Sequence, residues 1–172
     1  MTTLTIPRLE TERLVLRAPK LSDFEHIAAY YTSPRSVWEG GPLTRTASWS
    51  QWSGDAGLWL LRGYGPFGLD DKASGAYLGE VGIYQRDDFP CAELGWFVLP
   101  EAEGRGIAHE AARAVMGWLR NALGWGRVCS IIDPGNARSI ALGLRLGGRI
   151  DESLPGIDPG DVVIAHDLGK IA

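Results

Sequence analysis

Cysteine, histidine and cationic runs are scarce in this chain of 172 residues. There are two cysteines, Cys91 and Cys129, and three scattered histidines, His26, His109 and His166. None falls at metal-ligand spacing, so no metal centre is expected. Each cysteine sits in an apolar, strand-like run and reads as a small buried hydrophobe rather than as half of a disulfide or a catalytic thiol. Basic residues number 17 against 21 acidic ones, for a net charge of -4. They form no run, which disfavours the cationic surface that nucleic-acid binding needs. No apolar stretch approaches the ~20 residues of a membrane span. Met1 to Leu16 alternates polar and apolar residues and lacks the apolar core of a secretion signal. The expectation is a soluble, cytoplasmic protein with neither nucleic acid nor membrane as partner.

Glycine, by contrast, is plentiful: 23 residues, about double the usual share of ~7%. The hydrophobic fraction of 45% is enough for a core, and the length points to one domain spanning residues 1–172. Leu9 to Arg17 reads as a strand. Ser22 to Glu25 fits a capping box, and Phe24, Ile27, Ala28 and Tyr31 then mark one helical face that Pro34 stops. Thr46 to Leu61 is a candidate second helix with Trp49, Trp52 and Ala56 on its stripe. The tryptophans of this region pack the core or wall a substrate site; the spacing does not decide which. Phe67–Asp70, Tyr77–Gln85 and Cys91–Leu99 read as an antiparallel meander. Ile107 to Asn121 is a helix with an alanine-rich stripe. Arg127 to Ile132 is a strand, Asn136 caps a helix running to Leu146, and Val162 to His166 is a last strand. The order implies an α/β fold, a mixed sheet in layers with helices.

The informative segment is the strand-to-helix passage Leu94-Gly95-Trp96-Phe97-Val98-Leu99-Pro100-Glu101-Ala102-Glu103-Gly104-Arg105-Gly106-Ile107-Ala108-His109. The first amides of a helix lack intrahelical partners and carry partial positive charge, and glycines let an anion come close. A P-loop would need Gly-Lys-Ser/Thr, which is missing after Gly106. A dinucleotide fingerprint would need a small residue where His109 stands, and would open a βαβ unit rather than follow a meander.

Glu103-Gly104-Arg105-Gly106-Ile107-Ala108 resembles the pyrophosphate loop of the GNAT acetyltransferase superfamily, Gln/Arg-x-x-Gly-x-Gly/Ala. Gly106 and Ala108 take the small positions. Glu103 departs from the Gln/Arg position, a charge that Arg105 is expected to offset in part. Thr11-Glu12-Arg13-Leu14-Val15-Leu16-Arg17, Ala92-Glu93-Leu94-Gly95-Trp96, and Asp133-Pro134 with Asn136, Ser139 and Leu146-Gly147 resemble successive parts of the ribosomal-protein N-acetyltransferase branch (RimJ/RimL type). The usual acidic and aromatic positions around Arg145 are lost.

The resemblance implies a mostly antiparallel twisted sheet with helices on both faces and acetyl-CoA as cofactor. It implies direct transfer of the acetyl group to a primary amine, a protein N-terminus or a small molecule, in a ternary complex. No Ser-His-Asp or Cys-His arrangement suggests a covalent alternative. Main chain near Phe97, Val98 and Leu99 would pair with pantetheine, as a strand edge pairs with any extended amide chain. Residues Gly104, Arg105, Gly106, Ile107 and Ala108 would hold the diphosphate. Asn136 would bond the cofactor, cap its helix, or both. Arg145 would either contact a phosphate or face solvent. Glu93, or else Glu80 or a water, would be the base, and Ser139 the acid at sulfur. Acceptor specificity would lie within residues 30–62. The donor's acyl length stays open, and a homodimer is compatible with the sequence. A coenzyme-A-binding module without turnover is the alternative reading.

Overall fold

The computed structural model describes residues 5–170. The single strand expected over Leu9–Arg17 is two: β1 (Leu9–Glu10) folds back antiparallel on β2 (Leu14–Arg17). Thr11 divides them, because its amide donates to Leu14 O and its hydroxyl accepts from Leu14 N, both at 3.0 Å. Helix α1 (Phe24–Tyr31) follows a 3-10 turn at Leu21–Asp23. The carboxylate at this start is Asp23 rather than Glu25. It accepts from Lys20 N at 2.8 Å and pairs with Arg17 at 2.5 Å, while Glu25 pairs with Arg45.

A 3-10 segment at Pro34–Glu39 leads to α2 (Arg45–Arg62). The buried face of α2 is Ser48, Trp52, Asp55, Leu58 and Trp59. Trp49, expected on that face, is 41% exposed; the stripe is set by contact with the sheet and α1, and it keeps Trp52 but runs through Ser48 and Asp55, one position before Trp49 and Ala56. The meander is β3 (Pro66–Asp71), β4 (Tyr77–Tyr84) and β5 (Glu93–Val98). Then come α3 (Ile107–Leu123), β6 (Arg127–Ile132), α4 (Ala137–Arg145), β7 (Arg149–Ile150) and β8 (Val162–Asp167).

The eight strands form one sheet in the order β1-β2-β3-β4-β5-β6-β8-β7. Every neighbouring pair is antiparallel except β5 with β6. On one face Ala111, Val115 and Leu119 of α3 and Leu142 of α4 pack with Leu16, Phe67, Val81 and Leu94. On the other, Phe24, Ile27 and Tyr31 of α1 and Trp52 of α2 pack with Phe97 and Leu99. Each fully buried leucine or phenylalanine here stabilises the fold by about 1.5–3 kcal/mol. Strand β5 alternates accordingly: Leu94, Trp96 and Val98 belong to the first face and Phe97 to the second, as a two-residue period requires.

The β5–β6 contact is what positions the site. β4 and β5 are matched from Gly79↔Val98 to Tyr84↔Glu93, yet β5 and β6 meet only at Glu93↔Cys129. The strands then diverge, leaving a gap in the middle of the sheet. At the closed end Cys91 and Cys129 form a disulfide, so neither is the unpaired hydrophobe expected of it. The parallel register explains the pairing: Cys129 stands opposite Glu93, and Cys91 lies two residues before Glu93 on the same face. Beside it, Ser130 Oγ donates to Leu94 O at 2.7 Å and lies 3.1 Å from His166 Nε2. Burial pushes the His166 imidazole down to about 4.

Candidate active site

Two cavities meet at the gap between β5 and β6. One, of about 770 Å³, is bounded by β5, α3, α4 and the 34–39 segment; the other, of about 390 Å³, lies towards β4, β6 and the 157–161 loop. Trp38, Glu39, Trp96, Phe97, Asn136 and Ser139 line both. Since Trp96 and Phe97 belong to opposite faces of the sheet, the opening runs through the sheet rather than into one side of it.

The larger cavity ends at the glycine loop. Gly104 and Gly106 both hold left-handed backbone, at φ +71° and +76°. Only glycine takes that region without strain, and the two reversals turn the main chain into the start of α3. Glu110 N, bonded to Gly106 O at 3.0 Å, is the first amide of α3 with a backbone acceptor. Residues 103–106 form a tight turn, and the amides of Ile107, Ala108 and His109 precede the i−4 ladder of α3. NH groups at a helix start, with the dipole behind them, suit a diphosphate. Arg13 braces the loop: it pairs with Glu110 at 2.6 Å and donates from a guanidinium nitrogen to Arg105 O at 2.9 Å.

Of the residues expected at the cofactor, Phe97, Val98, Gly104, Gly106, Ile107, Ala108, Asn136 and Arg145 line this cavity. Leu99 and the Arg105 side chain do not. Leu99 is buried in the α1–α2 core, its amide bonded to Leu78 O at 2.8 Å. Arg105 turns away, donating to Glu101 O and facing Asp71 at 3.7 Å. The charge of Glu103 is therefore met by other residues: Arg35, from the 34–39 segment, and Arg138, from the first turn of α4. Neither was legible in the sequence, because they approach Glu103 from two distant elements; the inverted charge at 103 was the one available signal.

Asn136 caps α4, its Oδ1 accepting from Ser139 N at 3.2 Å. Asn136 also lines both cavities, and with its oxygen engaged in the cap its amide nitrogen remains as a donor. Ser139 Oγ accepts from Trp96 Nε1 at 3.2 Å. With that lone pair engaged, the hydroxyl proton is free to donate into the gap.

Glu93 and Glu80 separate clearly. Glu93 lines the smaller cavity, where its Oε1 accepts from Ile131 N at 3.4 Å. Burial raises its carboxyl to about 7, against the lowering effect of the Ile131 amide. Glu80 is 2% exposed and lines neither cavity. Trp52 Nε1 donates to it at 2.9 Å, and burial lifts it to about 8. Gly95 allows the crowded floor between them: a Cβ there would lie 2.9 Å from the Tyr84 ring. The smaller cavity is also lined by Glu39, Asp88, Asp133, Asp158 and Asp161. Its one cation, Arg86, is held by Asp55 at 2.6 Å.

The sheet is split between two parallel neighbours, with the glycine loop and the start of α3 on one side and the Glu93 carboxyl on the other. Residues 13–149 match the family described as acetyltransferase (GNAT) domain, and the chain belongs to that family. An acetyltransferase from Agrobacterium tumefaciens str. C58 superposes with a TM-score of 0.91 at 36% identity, covering 96% of this chain and 97% of that one. The uncharacterized protein YkkB of Bacillus subtilis (strain 168) is 32% identical over 118 residues, a match spanning 64% of each chain. The ribosomal-protein-S5-alanine acetyltransferase from Vibrio fischeri shares the fold, with a TM-score of 0.70 at 21% identity over 97% of this chain and 100% of that one.

Proposed function

We propose that the chain transfers the acetyl group of acetyl-CoA directly to a primary amine in a ternary complex. The observation that carries this reading is the glycine loop and the start of α3 at one end of an opening that has Ser139 at its middle and Glu93 beyond. Acetyl-CoA, when bound, supplies an activated thioester. The amides of Gly104 to Ala108 and the side chain of Asn136 hold its polar groups, and β5 from Phe97 to Val98 offers main chain to its amide-bearing arm. On the other side Glu93 accepts the proton that the incoming ammonium must lose, directly or through a water. Ser139 donates its hydroxyl proton towards the departing sulfur, while Trp96 fixes the hydroxyl.

The free hydroxyl of Ser139 and the raised carboxyl of Glu93 have no use in a coenzyme-A-binding module without turnover, so they support the catalytic reading. For the acceptor, the carboxylates of the smaller cavity support an amine that carries positive charge, and about 390 Å³ suits a small molecule or the first residues of a peptide. The test is thiol release from acetyl-CoA across N-terminal peptides, aliphatic polyamines and neutral aromatic amines. Release with cationic acceptors is the expected result. Binding of coenzyme A with no release for any amine would replace the enzyme with the binding module.

A further inference from the structure

Glu103 lies at the mouth of the diphosphate loop with both carboxylate oxygens engaged. Oε1 receives Arg35 and Oε2 faces Arg138 NH2 at 3.0 Å. The two arginines belong to opposite walls of the larger cavity, Arg35 to the 34–39 segment and Arg138 to α4, and all three residues line it with Gly104, Gly106 and Ile107. Their side chains are partly exposed, at 41%, 25% and 72% for Arg35, Glu103 and Arg138. Surface ion pairs of this kind add little to stability, so the arrangement is not explained by folding alone. Two guanidinium groups brought to one spot would repel one another without the carboxylate between them. One carboxylate also cannot use up their donors, since each guanidinium has five. The trio carries a net charge of +1, which an anion placed at the neighbouring amides would meet.

We propose that Arg35 and Arg138 are diphosphate-binding residues and that Glu103 positions them, so that the acidic residue at the loop recruits cations instead of repelling the anion. This rests on reading the larger cavity as the coenzyme-A site. Each guanidinium has NH groups to spare beyond those on Glu103, and together they close the cavity from both walls once the diphosphate is in place. Glu103 acts through the arginines and touches no phosphate itself.

Calorimetric titration of the whole chain with coenzyme A reads this without turnover, so a failure to acetylate amines leaves the test intact. Arg35→Ala and Arg138→Ala should each weaken coenzyme A by roughly tenfold, the loss of one charge-assisted contact. Glu103→Gln should weaken it about threefold to tenfold on the same scale. The same Glu103→Gln change made on the double variant R35A/R138A should cause no further loss. Titration with 3′-dephospho-CoA should show the same ratios, and the dissociation constant of pantetheine, which lacks the diphosphate, should not move. Tighter binding in Glu103→Gln would mean that the carboxylate competes with the anion, and would overturn the proposal. Losses confined to coenzyme A, absent with 3′-dephospho-CoA, would put the arginines on the 3′-phosphate and overturn it equally. A matching rise in the dissociation constant of pantetheine would make their role structural and overturn it too.

Discussion

Trp96 Nε1 donates to Ser139 Oγ at 3.2 Å, joining β5 to α4 across the gap where the sheet divides. The bond fixes a hydroxyl that would otherwise rotate among several partners, and leaves its proton pointing away from the indole. A thiolate leaving group needs only modest protonation, since a thiol titrates near 8.5. Replacing Ser139 by alanine should therefore cut kcat by about 100-fold, at the low end of general-acid effects. The coenzyme A dissociation constant should stay within about twofold, because binding rests on the loop amides. Trp96→Phe keeps the ring and loses the donor, so a fall of ~3–10-fold in kcat is expected, the scale of one neutral hydrogen bond. Steady-state kinetics beside calorimetry separates the two effects. If Ser139→Ala lost coenzyme A binding in proportion to rate, the hydroxyl would be a ligand rather than an acid.

The pH profile should report Glu93. Burial raises this carboxyl to about 7, so it is mostly protonated below that pH and available as a base above it. With an aliphatic amine of pKa near 10.4, the acceptor's own titration lies outside this range. The logarithm of kcat should then rise with unit slope up to about pH 7 and level off. Glu93→Gln should remove the break and lower kcat by roughly 100-fold to 10,000-fold. A break unchanged in the glutamine variant would assign it to another group.

The parts of this reading that the sequence revealed, and those it hid, divide along a physical line. Local patterns were legible. The apolar stripe of α3, the strand Arg127–Ile132 and the cap at Asn136 stand where period and capping chemistry place them. The glycine loop could be read because its function depends on main-chain geometry that glycine itself dictates. Register between distant strands was not legible. The Cys91–Cys129 disulfide follows from the one β5–β6 pair at Glu93↔Cys129, which no spacing along the chain reveals. The meeting of Arg35 and Arg138 at Glu103 has the same origin, since three separated elements converge there. Trp49 and Trp52 show a third limit. Both fit a helical stripe, but Phe24 and the sheet bury Trp52 to 6% and leave Trp49 41% exposed. Glu93 and Glu80 could not be ranked by chemistry on sequence alone either. Only the walls around them distinguish a carboxyl at a cavity from one sealed under Trp52.

That sealed carboxyl should appear in stability rather than in catalysis. Glu80 lies beneath α2, bonded by the Trp52 indole, with Tyr77 and the Arg86–Asp55 and Arg17–Asp23 ion pairs as neighbours. Burial raises its pKa from an ordinary 4.5 to about 8. A carboxyl raised on folding binds its proton more tightly in the folded state. The stability it lends is therefore fully present below about pH 4.5 and is lost as the pH climbs through about 8, following proton linkage. His166 works in the opposite sense: its pKa falls on folding to about 4, and Glu93 adds a loss of its own towards pH 7. The raw pH dependence of the wild type mixes all three. The difference between wild type and Glu80→Gln isolates one, because glutamine keeps an acceptor for Trp52 and does not titrate. At pH 5 the two melting temperatures should be close. Between pH 5 and 8 the variant should pull ahead, by ~2–4 °C for each kcal/mol recovered in a chain of this size. Above pH 8 the gap should stay constant. Calorimetric melting across pH 5–9 reads it directly, and a gap that did not change with pH would mean that Glu80 is ionised in the folded protein, with the buried ion pairs around it carrying its charge.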